Sequence, residues 1–192
     1  MEFPGKQKLV AVLDAAVALA GGLDPTVPVA AALCRLHADP TLQLPAALRT
    51  PVAGHYARRE LHLSPEHGYS VVAMTWAPGQ GTPVHDHGGA WCAEVVWQGR
   101  LAVDDYVPVE HEEPYWRFAR AGRTELGTGG SGRLQPPDEY HAVHNPDPAQ
   151  VAVSIHVYQR RLLRCHVFVE DPAAPAGWLR REERVLASDA LD

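Results

Sequence analysis

Residues 79–99 read GQGTPVHDHGGAWCAEVVWQG, and the fold is decided there. Glycine and proline punctuate both ends, and the apolar run Ala90–Trp97 has the composition of a strand. His85 and His87 lie two residues apart. On a strand that spacing puts both imidazoles on one face, where they can bind a single metal ion. Asp86 then points the other way and reads as a supporting carboxylate rather than a ligand.

Working outward, the chain from Tyr56 to Val169 is a series of short apolar or alternating runs broken by turn residues. Tyr69–Trp76, Leu101–Val109, Tyr115–Ala121, Arg133–Gln135 and Val151–Tyr158 join Ala90–Trp97 as expected strands. Closely spaced strands without helices between them indicate a mainly β, antiparallel barrel or sandwich. The loop GTGGSG at 127–132 lacks the Gly-Lys-Ser/Thr ending and the following helix of a phosphate cradle, so it reads as a hairpin loop. Ahead of the strands, Leu9, Val12, Leu13, Ala16 and Leu19 recur at helical spacing within Lys6–Gly22. A second helix is expected from Thr26 to His37, opened by Asp24-Pro25 and closed by Asp39-Pro40. At about 150 residues per domain, the 192 residues read as one domain. Its parts are a helical segment over 1–50, a barrel over 51–170 and a covering strap over 171–192.

Composition excludes several classes. The chain is 46% hydrophobic, ample for one buried core. Seventeen basic against twenty-three acidic side chains give a net charge of −6. That leaves no electrostatic footprint for nucleic acid phosphates or an anionic membrane. Asp14 interrupts the one apolar stretch that imitates a signal, and no span approaches the roughly 20 residues of a membrane helix. The three cysteines, Cys34, Cys92 and Cys165, are odd in number and lack a C-x-x-C, which argues against a disulfide framework and fits a reducing, cytoplasmic compartment.

Two further segments add polar groups. Glu139-Tyr140-His141-Ala142-Val143-His144-Asn145 offers a third imidazole, with His141 and His144 competing for the role. Three neutral imidazoles suit iron, zinc and copper alike and leave coordination positions open. In Ser154-Ile155-His156-Val157-Tyr158, polar and apolar residues alternate, so one strand face is polar. Facing a barrel interior, those groups need hydrogen bonds to one another and to a ligand.

Taken together these motifs resemble the cysteine dioxygenase family of thiol dioxygenases, which have cupin (double-stranded β-helix, jelly-roll) barrels preceded by α-helices. The resemblance runs from about Tyr56 to Phe168. It rests on Tyr56-Ala57-Arg58, Trp76, Pro83-Val84-His85-Asp86-His87, Cys92, His141 with Asn145, Ser154-x-His156-x-Tyr158 and Cys165-His166. It implies one Fe(II) per chain on His85, His87 and His141, the last because the family places that ligand four residues before an asparagine. It implies a hydrogen-bonded outer triad of Ser154, His156 and Tyr158, with Arg58 pairing a substrate carboxylate and Tyr56 supplying a hydroxyl. Arg59 reads as a solvated neighbour on the opposite strand face. Cys92 stands where the animal enzymes join a cysteine to the active-site tyrosine, so a Cys92–Tyr158 thioether is an expectation, although many bacterial relatives have glycine there. Trp91 stands where animal enzymes usually have histidine. Glu94 resembles the extra carboxylate ligand of generic cupins and is read here as a supporting group.

The implied reaction adds both atoms of O2 to a small thiol, with L-cysteine giving cysteine sulfinate. The partners are that thiol and O2, with no nucleic acid and no membrane. Two alternatives stay open. One is a dioxygenase for 3-mercaptopropionate or another mercapto-acid, with Arg160, Arg161 or Arg164 holding the carboxylate. The other is a non-catalytic metal-binding cupin.

Overall fold

The computed structural model describes residues 2–20 and 23–190. Gly21 and Gly22, at the end of the first expected helix, and residues 191–192, at the end of the expected strap, lie outside the described residues. The elements run α1 (Lys6–Leu19), α2 (Thr26–His37), a short 3-10 helix (Ala46–Arg49) and eleven strands. The strands are β1 (Ala57–Leu63), β2 (Ser70–Trp76), β3 (Val84–His85), β4 (Cys92–Gln98), β5 (Arg100–Glu112), β6 (Tyr115–Gly127), β7 (Ser131–Leu134), β8 (His141–His144), β9 (Ala152–Tyr158), β10 (Arg164–Glu170) and β11 (Leu179–Val185). Five form a sheet in the order β1-β2-β9-β4-β7, and the other six close in the order β10-β11-β6-β5-β8-β3. Every described ladder between named strands is antiparallel. The chain is a mainly β, antiparallel barrel with two helices ahead of it.

Strand alternation divides the core in two. Val71, Ala73, Ala93, Val95, Ile155 and Val157 point outward and meet Leu9, Leu13, Val29, Leu33 and Leu36 of the helices. Val72, Met74, Trp76, Cys92, Val96 and Tyr158 point inward with Leu101, Val103 and Val143. With both faces covered, β2 and β9 are buried along their whole length. Asp24 starts α2 by accepting bonds from the backbone N–H and the hydroxyl of Thr26. Of the expected apolar stripe of α1, Leu9, Leu13 and Ala16 are buried, but Leu19 is 79% exposed because the helix ends there, beyond the sheet's edge.

Five strands, β1, β3, β8, β10 and β11, went unread in the sequence. β1 (ARRELHL) and β11 (LRREERV) are rich in charge, and β3 and β8 are too short to show a period. The GTGGSG stretch is not the hairpin loop expected: it carries the chain from β6, which pairs with β5 and β11, across to β7, which pairs with β4 in the other sheet. Asn145 is fully buried, and its amide nitrogen reaches the carbonyls of Trp76, Ala77 and Gln150, tying the end of β8 to that of β2.

Candidate metal centre

Three histidines, two of them on strands, converge inside the barrel. β3 pairs with β8 so that His85 lies directly opposite His141, and His87 follows β3 by two residues. One ligand atom from each of His85, His87 and His141 lies within 4.8 Å of the others, and among the described residues these three form the group able to hold a metal ion. Their rings sit 4.2 to 5.5 Å apart.

The imidazoles are prepared for a cation. His85 Nδ1 bonds the Pro83 carbonyl at 3.2 Å, and His141 Nδ1 bonds the Glu139 carbonyl at 2.9 Å. A carbonyl only accepts, so both Nδ1 atoms carry the proton and Nε2 is left as the ligand atom. His87 Nδ1 is buried with no partner. Burial pushes His85 down to about 4 and His141 to about 3, and it drives His87 well below its ordinary value. All three are neutral bases near pH 7. Three neutral imidazoles, each with a ligand atom close to those of the other two, are the donor set a metal ion takes, so the residues fit the group.

His144 is excluded from this cluster. It faces the barrel exterior, its Nδ1 4.0 Å from Asp104 and its Nε2 3.3 Å from Arg123. Asp86 faces away from the cavity as expected. It accepts bonds from the backbone N–H groups of Gly88 and His166 and pairs with His166 Nδ1 at 2.8 Å, locking β3 to β10.

The sequence reading missed Glu139. Its buried carboxylate accepts from the backbone N–H groups of His87 (2.9 Å) and Gly89 (3.1 Å), while its carbonyl orients His141. One residue thus fixes two of the three histidines. The only signal was a carboxylate two residues ahead of a histidine.

The cavity beside the histidines is lined by Tyr56, Arg58, Met74, Trp76, His156 and Tyr158, and closed by Leu162, Cys165 and Leu186. Tyr56 stacks on Trp76 at 4.5 Å. Arg58 is 5% exposed, and its Nη2 donates to the Leu162 carbonyl at 3.0 Å. Its Nε is buried without a partner, and no carboxylate among the described residues lies within ion-pair distance. Arg59 points to the other face, but it is buried rather than solvated, bonding Thr75 Oγ1 and the Thr50 carbonyl. β1 is covered on both sides, which the run of charges concealed.

Cys92 and Tyr158 are direct cross-strand partners on the inner face. Burial pushes the Cys92 thiol well up, and a hydrogen bond from the Tyr158 hydroxyl opposes the shift. Ser154 Oγ meets His156 Nε2 at 2.8 Å. The expected triad does not continue to Tyr158: the two rings lie parallel, 5.9 Å apart, and His156 Nδ1 instead meets Glu94 at 3.0 Å. Glu94 is therefore a partner of His156 and no part of the histidine cluster. Arg160 bonds the Gly88 carbonyl, Arg161 pairs with Glu60 and Arg164 with Glu183, so none of them reaches the cavity.

The sequence matches cysteine dioxygenase type I over residues 54–171, more than half of the chain. The chain belongs to that family. Membership supports a dioxygenase-type oxidoreductase with a metal site and a small thiol as substrate class. Among solved structures, the fold is similar to a double-stranded β-helix protein from Klebsiella pneumoniae (17% identity, TM-score 0.46, covering 61% of this chain and 89% of that one). It is also similar to a protein from Thermus thermophilus (17%, 0.45, 61% and 94%) and to an oxalate oxidase bound to the substrate analogue glycolate (17%, 0.45, 61% and 59%). No helix among the described residues is long and apolar enough to cross a membrane.

Two outcomes follow for this family member. Replacing Glu139 with alanine frees the His87 segment and should weaken metal binding about 10–100-fold, measured by competition with a chelator, whereas His144→Ala should leave affinity unchanged. The second concerns acid. The unfolded chain takes up protons at these histidines below about pH 6.5, while the folded sites stay neutral until about pH 4 and 3. Between those limits the unfolded state binds more protons, so stability falls as pH falls. Urea unfolding of the metal-free protein should show that loss between pH 6.5 and 4; a flat profile would mean the imidazoles are not buried as neutral bases.

Proposed function

We propose that the protein is an Fe(II)-dependent thiol dioxygenase, with one iron per chain held by His85, His87 and His141, and that L-cysteine is its substrate, oxidised to cysteine sulfinate. The observation that carries the reading is Arg58. A guanidinium buried without a carboxylate partner is costly, and this one lies on the wall of the cavity that the three histidines share. A carboxylate on the substrate satisfies it, in the bidentate geometry for which the guanidinium fork is suited. When bound, iron supplies the charge that holds the thiol as thiolate and the site at which dioxygen reacts.

The chain's own residues do the rest. Arg58 orients the substrate by its carboxylate, with Leu162 holding the guanidinium in place. Tyr56 and Tyr158 present hydroxyl groups to the cavity. Met74, Leu162 and Leu186 wall it off and exclude water from the reacting groups. The cavity's free space, ≈ 20 Å³, is about that of one water. Only a small ligand that displaces the surrounding side chains is accommodated. The three cysteines are free thiols, in keeping with a reducing, cytoplasmic setting.

Oxygen uptake by iron-loaded protein with L-cysteine, 3-mercaptopropionate and cysteamine in parallel tests this. Cysteine should be turned over to the sulfinate, and Arg58→Ala should cost more than tenfold in kcat/KM for it, since removing one partner of a desolvated charge pair costs about 2–5 kcal/mol. Cysteamine, which has no carboxylate, should be little affected by the substitution. Preference for 3-mercaptopropionate would move the protein to the mercapto-acid dioxygenases. Retained metal with no thiol-dependent uptake would make it a binding cupin.

The Cys92–Tyr158 pair yields a second outcome. A thioether between sulfur and ring costs each residue one hydrogen, both passing to dioxygen. After turnover, intact-mass measurement should show a fraction lighter by two hydrogens, absent from Cys92→Ser. A mass unchanged after exhaustive turnover would leave Cys92 as core packing.

A further inference from the structure

Glu94 is a buried carboxylate that the reaction proposed above does not use. It is 3% exposed, on the inner face of β4, directly between Gly132 of β7 and His156 of β9. Gly132 makes the room: a Cβ there would lie 2.8 Å from Glu94 Oε1. The other oxygen, Oε2, lies 3.0 Å from His156 Nδ1. At that distance the carboxylate oxygen, which has no hydrogen to give, accepts the hydrogen of the ring nitrogen.

The direction of every bond in this chain is set by chemistry. The indole Nε1 of Trp76 only donates, and it reaches Ser154 Oγ at 3.0 Å. Ser154 is fully buried, and its other side-chain partner is His156 Nε2 at 2.8 Å. A buried hydroxyl hydrogen left unpaired is costly, so the Ser154 hydroxyl donates to Nε2, which is therefore unprotonated. The imidazole's one hydrogen sits on Nδ1 and is given to Glu94. The order is Trp76 to Ser154 to His156 to Glu94.

We propose that Glu94 is a positioning residue that fixes His156 as the Nδ1–H tautomer and thereby withholds it from Tyr158 and Cys92. Cys92 Sγ lies 4.0 Å from the same Nδ1. With that nitrogen already protonated, His156 is no base toward the thiol. No hydrogen bond joins it to the Tyr158 hydroxyl either, the two rings lying parallel and 5.9 Å apart. The relevance to catalysis rests on the dioxygenase reading; the tautomer does not.

Nitrogen-15 NMR of histidine-labelled protein tests it, recorded metal-free and with zinc as a diamagnetic occupant of the three-histidine site. Wild type should show His156 protonated at Nδ1 alone in both. Glu94→Leu should move the proton to Nε2, toward the Ser154 oxygen, while Glu94→Gln, whose carbonyl still accepts, should keep it on Nδ1. Gly132→Ala, which crowds the carboxylate without touching His156, should shift the population the way Glu94→Leu does. Protonation of wild-type His156 at Nε2 or at both nitrogens overturns the proposal, as does an unchanged Nδ1 proton in Glu94→Leu. If that variant does not fold, the wild-type and Gly132→Ala spectra decide. Failure to retain zinc, or to oxidise thiols when iron-loaded, counts against the metal or dioxygenase reading and leaves the tautomer result standing.

Discussion

The structure depends on one constraint: β9 lies in the middle of a sheet buried on both faces. Ile155 and Val157 meet the helices on one side, while Ser154, His156 and Tyr158 enter the barrel on the other. Burying three polar groups in a row is tolerable only if each is paired. Trp76 and Glu94 supply the partners for Ser154 and His156, and Cys92 packs beside Tyr158. Glu94 and Cys92 sit directly opposite His156 and Tyr158 on β4, and Trp76 sits one inward position along β2 from the residue opposite Ser154. Register and function are therefore one requirement, since a one-residue slip of β9 would put its polar face against the leucines of α1 and α2.

How much of this was legible depended on the physical signal each element leaves. β2, β4 and β9 announce themselves because both faces are buried and the runs are apolar. His85 and His87 were readable from a two-residue spacing, and Asp86 from its opposite parity. β3 and β8 were not, because a strand of two or four residues has no period; their identity lies in the pairing of His85 with His141. β1 was hidden by its charges: Arg59 reads as solvated, yet it is buried, as is Arg58. Glu139 was invisible, and Glu94, though read as a supporting group, gave no sign of its partner: a carboxylate's partner is set by the fold, and nothing local distinguishes a buried one from a surface one.

The C-terminal segment shows a longer-range version of this. Residues 179–185 form β11 between β10 and β6, and beyond it Leu186 lines the cavity. Asp189 then takes the backbone of Arg58 at both ends, accepting its N–H at 2.8 Å and donating its own to the carbonyl at 2.7 Å. The aspartate that approaches Arg58 is thereby engaged with main chain and leaves the guanidinium uncompensated. A segment more than a hundred residues away in sequence thus holds the strand that carries the cation without neutralising it.

Charge balance then narrows what the cavity can take. Of the groups that line it the three histidines are neutral bases, and Arg58 is a cation with no carboxylate beside it. A divalent ion on the histidines would add a second centre of positive charge, and an electrostatic account that omits the ion is incomplete. A thiolate cancels one. A carboxylate on the same molecule cancels the second, next to Arg58. A small thiol acid brings both charges at the two points where the site needs them, whereas an aminothiol without a carboxylate leaves the guanidinium unpaired and the cavity charged. Where the chain puts Asp189 decides this charge: had that carboxylate paired with the Arg58 side chain, the cavity would hold no unpaired cation for an acid to meet.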